Sequence, residues 1–271
     1  MNIGRILCLV AASLLSALLL WAGDPWKEKP WTEWTAKDVN NMTEGNPWVQ
    51  NKAFRPMYGS DWHGPTSQIG RQQQYLVIWA SARTAGELHA RAVQLYAPRG
   101  GRRDPANFSF EEAASLLYGS NAGGTVAPPA TGGEPAGEYA IRVEFASFSS
   151  THADRSRGIG PGPRWMSAYM VARLPENCGP PECLFGGLEP AELLESATLT
   201  IKPSDRELKA TRVRMTRAAA VFYFPREVDG QPAIQPADKK AEFRCSTAGA
   251  RGSAVASFDL GKMVRDGKPD L

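Results

Sequence analysis

A chain of 271 residues with 42% hydrophobic and 22% charged residues has an ordinary globular balance and enough apolar mass to fill a core. Its formal net charge of +3 neither demands nor forbids an anionic partner. No run of Lys and Arg has the density of a nucleic-acid-binding arm, so nucleic acid is not an expected partner.

The first signal along the chain is a leader. "MNIGR" supplies one positive charge at Arg5, and the residues from Ile6 to Ala22 carry none. This is the layout of a secretory signal. Cleavage after Ala22 or Gly23 would place Leu20 or Trp21 where a peptidase wants a small residue. The run is also nearly long enough to span a bilayer. Residues 1–23 therefore read as a signal peptide or as an uncleaved N-terminal anchor. Either way the chain is expected to be exported, to the periplasm or beyond. Cys8 lies inside the leader and not after it, which speaks against a lipid anchor.

A Trp-rich cap segment, 24–54, follows. Thr35 and Asp38 form a weak capping box, and Trp34 and Val39 hold the two positions of a hydrophobic staple. A helix is expected from about Ala36 to Glu44, ended by Gly45. Trp48 follows Pro47 in a turn and is expected to anchor it. Trp31 lies near the same surface as Trp34. Trp26, closest to the leader, is expected to be the most exposed. Trp26 and Trp31 are thus the candidates for contact with a ligand or, if the leader is retained, a membrane interface.

Residues 55–271 read as a single α+β domain. "YLVIWASA", Tyr75 to Ala82, is a short apolar run suited to a strand buried on both faces. "TAGE", Thr84 to Glu87, reads as a proper capping box opening a helix from Ala85 to Tyr96. Pro98 to Pro105 is a basic loop, and a second helix is expected from Ser109. Gly119 to Glu138 is a Gly/Pro-rich loop. In "IRVEFASF", Ile141, Val143 and Phe145 are expected to face the core, and Arg142 and Glu144 the solvent. Trp165 to Leu174 reads as a strand, and Pro190 as the start of a one-turn helix. Beyond it, "ATLTIK", "ATRVRM", "AVFYFP", "AEFRC" and "AVASFDL" read as strands at hairpin spacing, with Asp229-Gly230 as one hairpin tip. The expected fold is α+β, a mainly antiparallel sheet with C-terminal β-hairpins and two or three short helices in the N-terminal half.

"PWTEWTAKDV", "NPW", "VIWASARTAGELHARA" and "FDLGKMVRDGKPDL" together resemble an uncharacterised family of exported soil-bacterial proteins. Members share a Trp-rich start, a W-x-S-A strand-to-helix step and an ending close to F-x-L-x-x-M-V-x-x-G-K. This chain departs from the pattern at Gly45-Asn46, before Pro47. The family has no established activity, so the resemblance implies export and single-unit organisation and assigns no site residues.

Catalytic and cofactor signatures are missing from the sequence: no G-x-S-x-G, H-E-x-x-H or Walker loop, and no G-x-G-x-x-G opening a helix. No catalytic residue or cofactor is therefore assigned. Of three histidines, His89 reads as structural. His63 lies near Asp61 and His152 near Asp154. These four define the alternative, a metal-assisted extracellular hydrolase. Cys178 and Cys183 flank "GPPE" and are expected to form a short-loop disulfide, with Cys245 left over and a Cys183–Cys245 bridge as the alternative pairing. The sequence thus points to an exported, non-catalytic binding or structural module, its partner an envelope protein or a glycan.

Overall fold

A computed structural model describes residues 24–54, 73–96, 137–146, 189–215, 219–247 and 252–271. The leader, the basic loop, the helix expected at Ser109, most of the Gly/Pro-rich loop and the strand expected at 165–174 lie outside these residues.

The described chain opens with α1 (Pro25–Glu28), a 3-10 turn (Trp31–Glu33) and α2 (Ala36–Gly45). Strands β1 (Val49–Phe54) and β2 (Gln73–Trp79) precede α3 (Arg83–Tyr96) and β3 (Glu138–Ala146). After α4 (Pro190–Ser196) come β4 (Thr198–Lys202), β5 (Arg206–Lys209), β6 (Arg212–Met215) and β7 (Ala219–Pro225). A small hairpin, β8 (Glu227–Val228) and β9 (Gln231–Pro232), is followed by β10 (Lys240–Thr247) and β11 (Gly252–Asp259). A second small hairpin, β12 (Val264–Arg265) and β13 (Lys268–Pro269), completes the order. The fold is α+β with antiparallel pairing throughout the described strands.

Two sheets carry the core. One has the order β1-β2-β3-β7-β6 and the other β11-β10-β4-β5. Residues directly opposite in an antiparallel pair share a face. Register therefore places Trp79, Ile141 and Phe222 in one row of the first sheet. In the second sheet, Leu199 and Phe243 share a row with Ala256. These two faces meet: Phe222 and Phe243 rings lie 5.3 Å apart, and Trp79 and Phe258 rings 5.1 Å. The other face of the second sheet carries Lys240, Glu242, Arg244, Glu207 and Lys209, which are half-buried or exposed. That is the one-dry, one-wet arrangement antiparallel sheets allow.

The first sheet behaves differently. The sequence reading put Arg142 and Glu144 in solvent, yet both are buried. Alternation does hold, since their side chains point away from the second sheet, but the opposite face is covered too. His89 of α3 is buried close enough on that side for the Arg142 charge to act on its ring.

The helical cap follows its local chemistry. Thr35 Oγ1 accepts the Asp38 N–H at 3.3 Å, and the Asp38 carboxylate accepts the Thr35 N–H at 2.6 Å, a complete capping box. Burial works against the Asp38 carboxylate, but bonds from Lys29 and Thr35 outweigh it and hold its pKa below the usual value. Trp34 and Val39 are fully buried, as a staple requires. The Trp34 indole N–H is shared between the Pro25 and Lys29 carbonyls at 3.2 Å each, and Arg91 Nε donates to the Trp34 carbonyl at 2.7 Å. Residues 49–54, grouped with the cap on sequence, form the edge strand β1 of the first sheet.

The start of α3 departs from expectation. Thr84 is not an N-cap, because the helix already begins at Arg83. The N–H groups of Arg83 and Thr84 at the helix start donate instead to the Asp270 carboxylate, at 2.7 and 2.9 Å. Glu87 is drawn away from a box by salt bridges to Arg83 and Arg265. The Asp270 carbonyl accepts the Trp48 indole N–H at 2.6 Å, and Arg226 binds the Leu271 main-chain oxygen at 2.5 Å. A carboxylate at a helix N-terminus satisfies orphan donors and complements the helix dipole. Asp270→Ala is therefore expected to cost about 1–2 kcal/mol. A urea midpoint unchanged from wild type would show that water replaces the cap at no loss.

The hairpin tip at Asp229-Gly230 is as expected, with φ of 53° and 72°. Asp266-Gly267 repeats the device, at 52° and 74°. Both pairs suit a tight turn with two left-handed residues.

Candidate functional site

The four tryptophans are not equivalent. Trp34 and Trp48 are fully buried, and Trp31 is half-buried against the core. Trp26 corrects the expectation of exposure: it retains only 8% of its surface and packs edge-on against Trp48, ring centres 5.5 Å apart. Pro25 at the first turn of α1 fixes the backbone there, and Trp26 is the residue of that helix that is buried. Its ring faces are therefore unavailable for stacking a sugar, and so are those of Trp48. The Trp26 indole N–H is buried and makes no hydrogen bond.

Trp26 does help to line a groove of about 570 Å³. One wall is Asp24, Trp26 and Lys27. Gly45 and Pro47, at the C-terminal end of α2, form a second. The third comes from the C-terminal region, with Gly261, Lys262 and Asp266. Charges are balanced, and partly paired: Lys27 binds Asp24 at 2.8 Å, and Lys262 approaches Asp259 at 3.5 Å. Pro47, Val264 and Trp26 add apolar surface, so the lining suits a ligand of low net charge. The two glycine-bearing segments let backbone approach the groove closely.

A second polar constellation lies under α3. Arg142 Nε meets Glu144 Oε2 at 2.7 Å, with side chains only 6% and 1% exposed. The other Glu144 carboxylate oxygen is buried without a hydrogen bond. Burial raises the Glu144 pKa, and Arg142 offsets part of that rise. Burial also lowers the His89 pKa to about 3, and the Arg142 charge adds to the shift. His89 is therefore neutral at pH 7.

This has a consequence for acid stability. The folded pKa of His89 lies below its ordinary 6.5. Between those values the unfolded chain takes up a proton that the folded chain refuses. The contribution is complete above about pH 6.5 and is lost as pH falls toward 3. His89→Leu removes this linkage. The variant should gain stability relative to wild type by roughly a few kcal/mol between those limits. Parallel urea titrations at pH 7 and pH 4 would check it, and a constant difference between the two proteins would refute it.

Asp61, His63, His152 and Asp154, and the Cys178 and Cys183 pair, lie outside the described residues. Among the described residues no group of three or more His, Cys, Asp or Glu is placed to hold a metal. Cys245 is a buried free thiol, so the alternative Cys183–Cys245 bridge is not formed. It sits on the core face of β10 opposite Ala254, and burial pushes its pKa up, away from reactivity. No described helix is long and apolar enough to cross a membrane.

Sequence reasoning missed the groove because its walls come from segments more than 200 residues apart. The Asp266-Gly267 turn was the available signal for the third wall, as the same dipeptide marked the other hairpin. No protein-family model, curated protein or solved structure matches this chain.

Proposed function

We propose that this protein is an exported, non-catalytic binding module of the cell envelope or extracellular space, with the groove beside Trp26 as its contact surface. The observation that carries the reading is the groove's position. It opens at Asp24, directly after the hydrophobic leader, between the helical cap and the β12–β13 hairpin. A retained leader would hold this surface next to the membrane, and a cleaved one would free it.

Balanced charge and backbone-rich walls favour a polar, hydroxyl-bearing partner over a strongly charged one, and envelope glycan fits that chemistry. Binding would run through hydrogen bonds from Lys27, Lys262, Asp24 and Asp266, because the indole faces are packed away. Co-sedimentation of the purified protein with glycan strands from its own envelope tests this. Lys262→Glu combined with Asp266→Lys keeps net charge and should abolish retention. Retention unaltered by that exchange overturns the groove, and recovery of the native protein from the cytoplasm overturns export.

A further inference from the structure

The side of the first sheet that faces away from the second carries an arginine file. Val221 of β7 has Arg142 opposite it on β3 and Arg214 opposite it on β6. The next row pairs Tyr223 with Arg212. Strand spacing puts the Arg142 and Arg214 backbones about 10 Å apart, within convergent reach of two arginine side chains. Exposure rises along the file, from buried Arg142 through half-buried Arg214 to exposed Arg212.

Two of these cations are neutralised and held in place. Arg142 is paired with Glu144. Arg212 donates to one Glu138 oxygen through Nε and Nη2, at 2.9 and 2.7 Å, and its guanidinium lies 3.5 Å from the centre of the Tyr223 ring. Thr211 fixes the other Glu138 oxygen at 2.6 Å. Arg214 differs: its side chain makes no ion pair or hydrogen bond among the described residues, although its charge acts on Tyr223. Among the described residues, two carboxylates for three guanidiniums leave one half-buried positive charge beside two immobilised ones. Like charges set close on one sheet face destabilise it unless something compensates.

We infer that Arg214, flanked by Arg212 and Arg142, forms a subsite for one anionic group, a carboxylate or a phosphate, of a bound ligand. The guanidinium fork matches either group in a bidentate geometry. The stacked Arg212 walls the subsite on one side. The subsite is separate from the groove beside Trp26 and does not depend on it.

There is a competing role for Arg214. β6 is an edge strand, and charges on edges block strand pairing between molecules. The two roles separate experimentally. The side-chain Nε–H resonances of arginine in the full chain are followed by NMR, with inorganic phosphate in one titration and acetate in the other. A saturable shift of Arg214 is expected in at least one of them, and which anion gives it identifies the preferred group. Arg214→Gln should weaken that binding about tenfold or more. Arg214→Lys should fall between the two, because it keeps the charge without the fork. Arg244→Gln, on the outer face of the other sheet, should change nothing. Arg214→Glu should remain monomeric and lose anion binding. The proposal is overturned if neither anion gives a saturable shift, or if Arg214→Gln binds like wild type, whether or not it self-associates.

Discussion

Arg142→Met is expected to cost about 3–5 kcal/mol, because it strands the Glu144 carboxylate in the interior without its partner. Glu144 is 1% exposed and already has one oxygen without a hydrogen bond, so no described group is poised to take over. The double replacement Arg142→Met with Glu144→Leu is expected to recover most of the loss, since a buried ion pair rarely outweighs its own desolvation. Urea denaturation of the two singles and the double, read as a cycle, measures the coupling. Should the double variant be no better than Arg142→Met, the pair would be contributing more than mutual charge compensation. Its role would then lie in what the arginine also touches.

Trp34→Ala carries the second large effect. The ring is fully buried between the cap helices and α3, and deleting a buried tryptophan costs about 3–5 kcal/mol. Its N–H also satisfies two carbonyls, those of Pro25 and Lys29, that close the cap upon itself. Trp34→Phe should cost less, since most of the volume remains and only the N–H is lost. Thermal denaturation of both variants separates packing from hydrogen bonding. If Trp34→Phe proves as damaging as Trp34→Ala, the N–H is the larger contribution and the staple account is wrong in emphasis.

The elements legible in the sequence were those decided by near neighbours. Thr35, Asp38, Trp34 and Val39 lie within one turn of each other, so cap and staple could be read directly. The β2 segment is apolar on both faces and announced burial on both. Asp229-Gly230 specified its own turn. What failed was whatever depended on distant chain. Arg142 and Glu144 alternate with apolar residues just as a solvated face would, and only the covering of that face from outside the sheet buries them. Their opposite charges two residues apart were the hint. Thr84 and Glu87 had the spacing of a capping box, but Asp270 and two arginines had prior claim on the same groups. Trp26 looked free because its partner Trp48 is 22 residues on, across a helix.

The Asp270 contact also bears on when the protein can fold. Arg83 and Thr84 are made some 187 residues before the carboxylate that caps them, and Trp48 some 222 residues before the carbonyl it bonds. During synthesis, α3 and the cap must wait for the far end of the sandwich before either is fully secured. Chains whose decisive contacts are this far apart fold slowly and late. In the exported module proposed above, the contacts from Asp270 that secure α3 and the cap would form only once the chain had crossed the membrane.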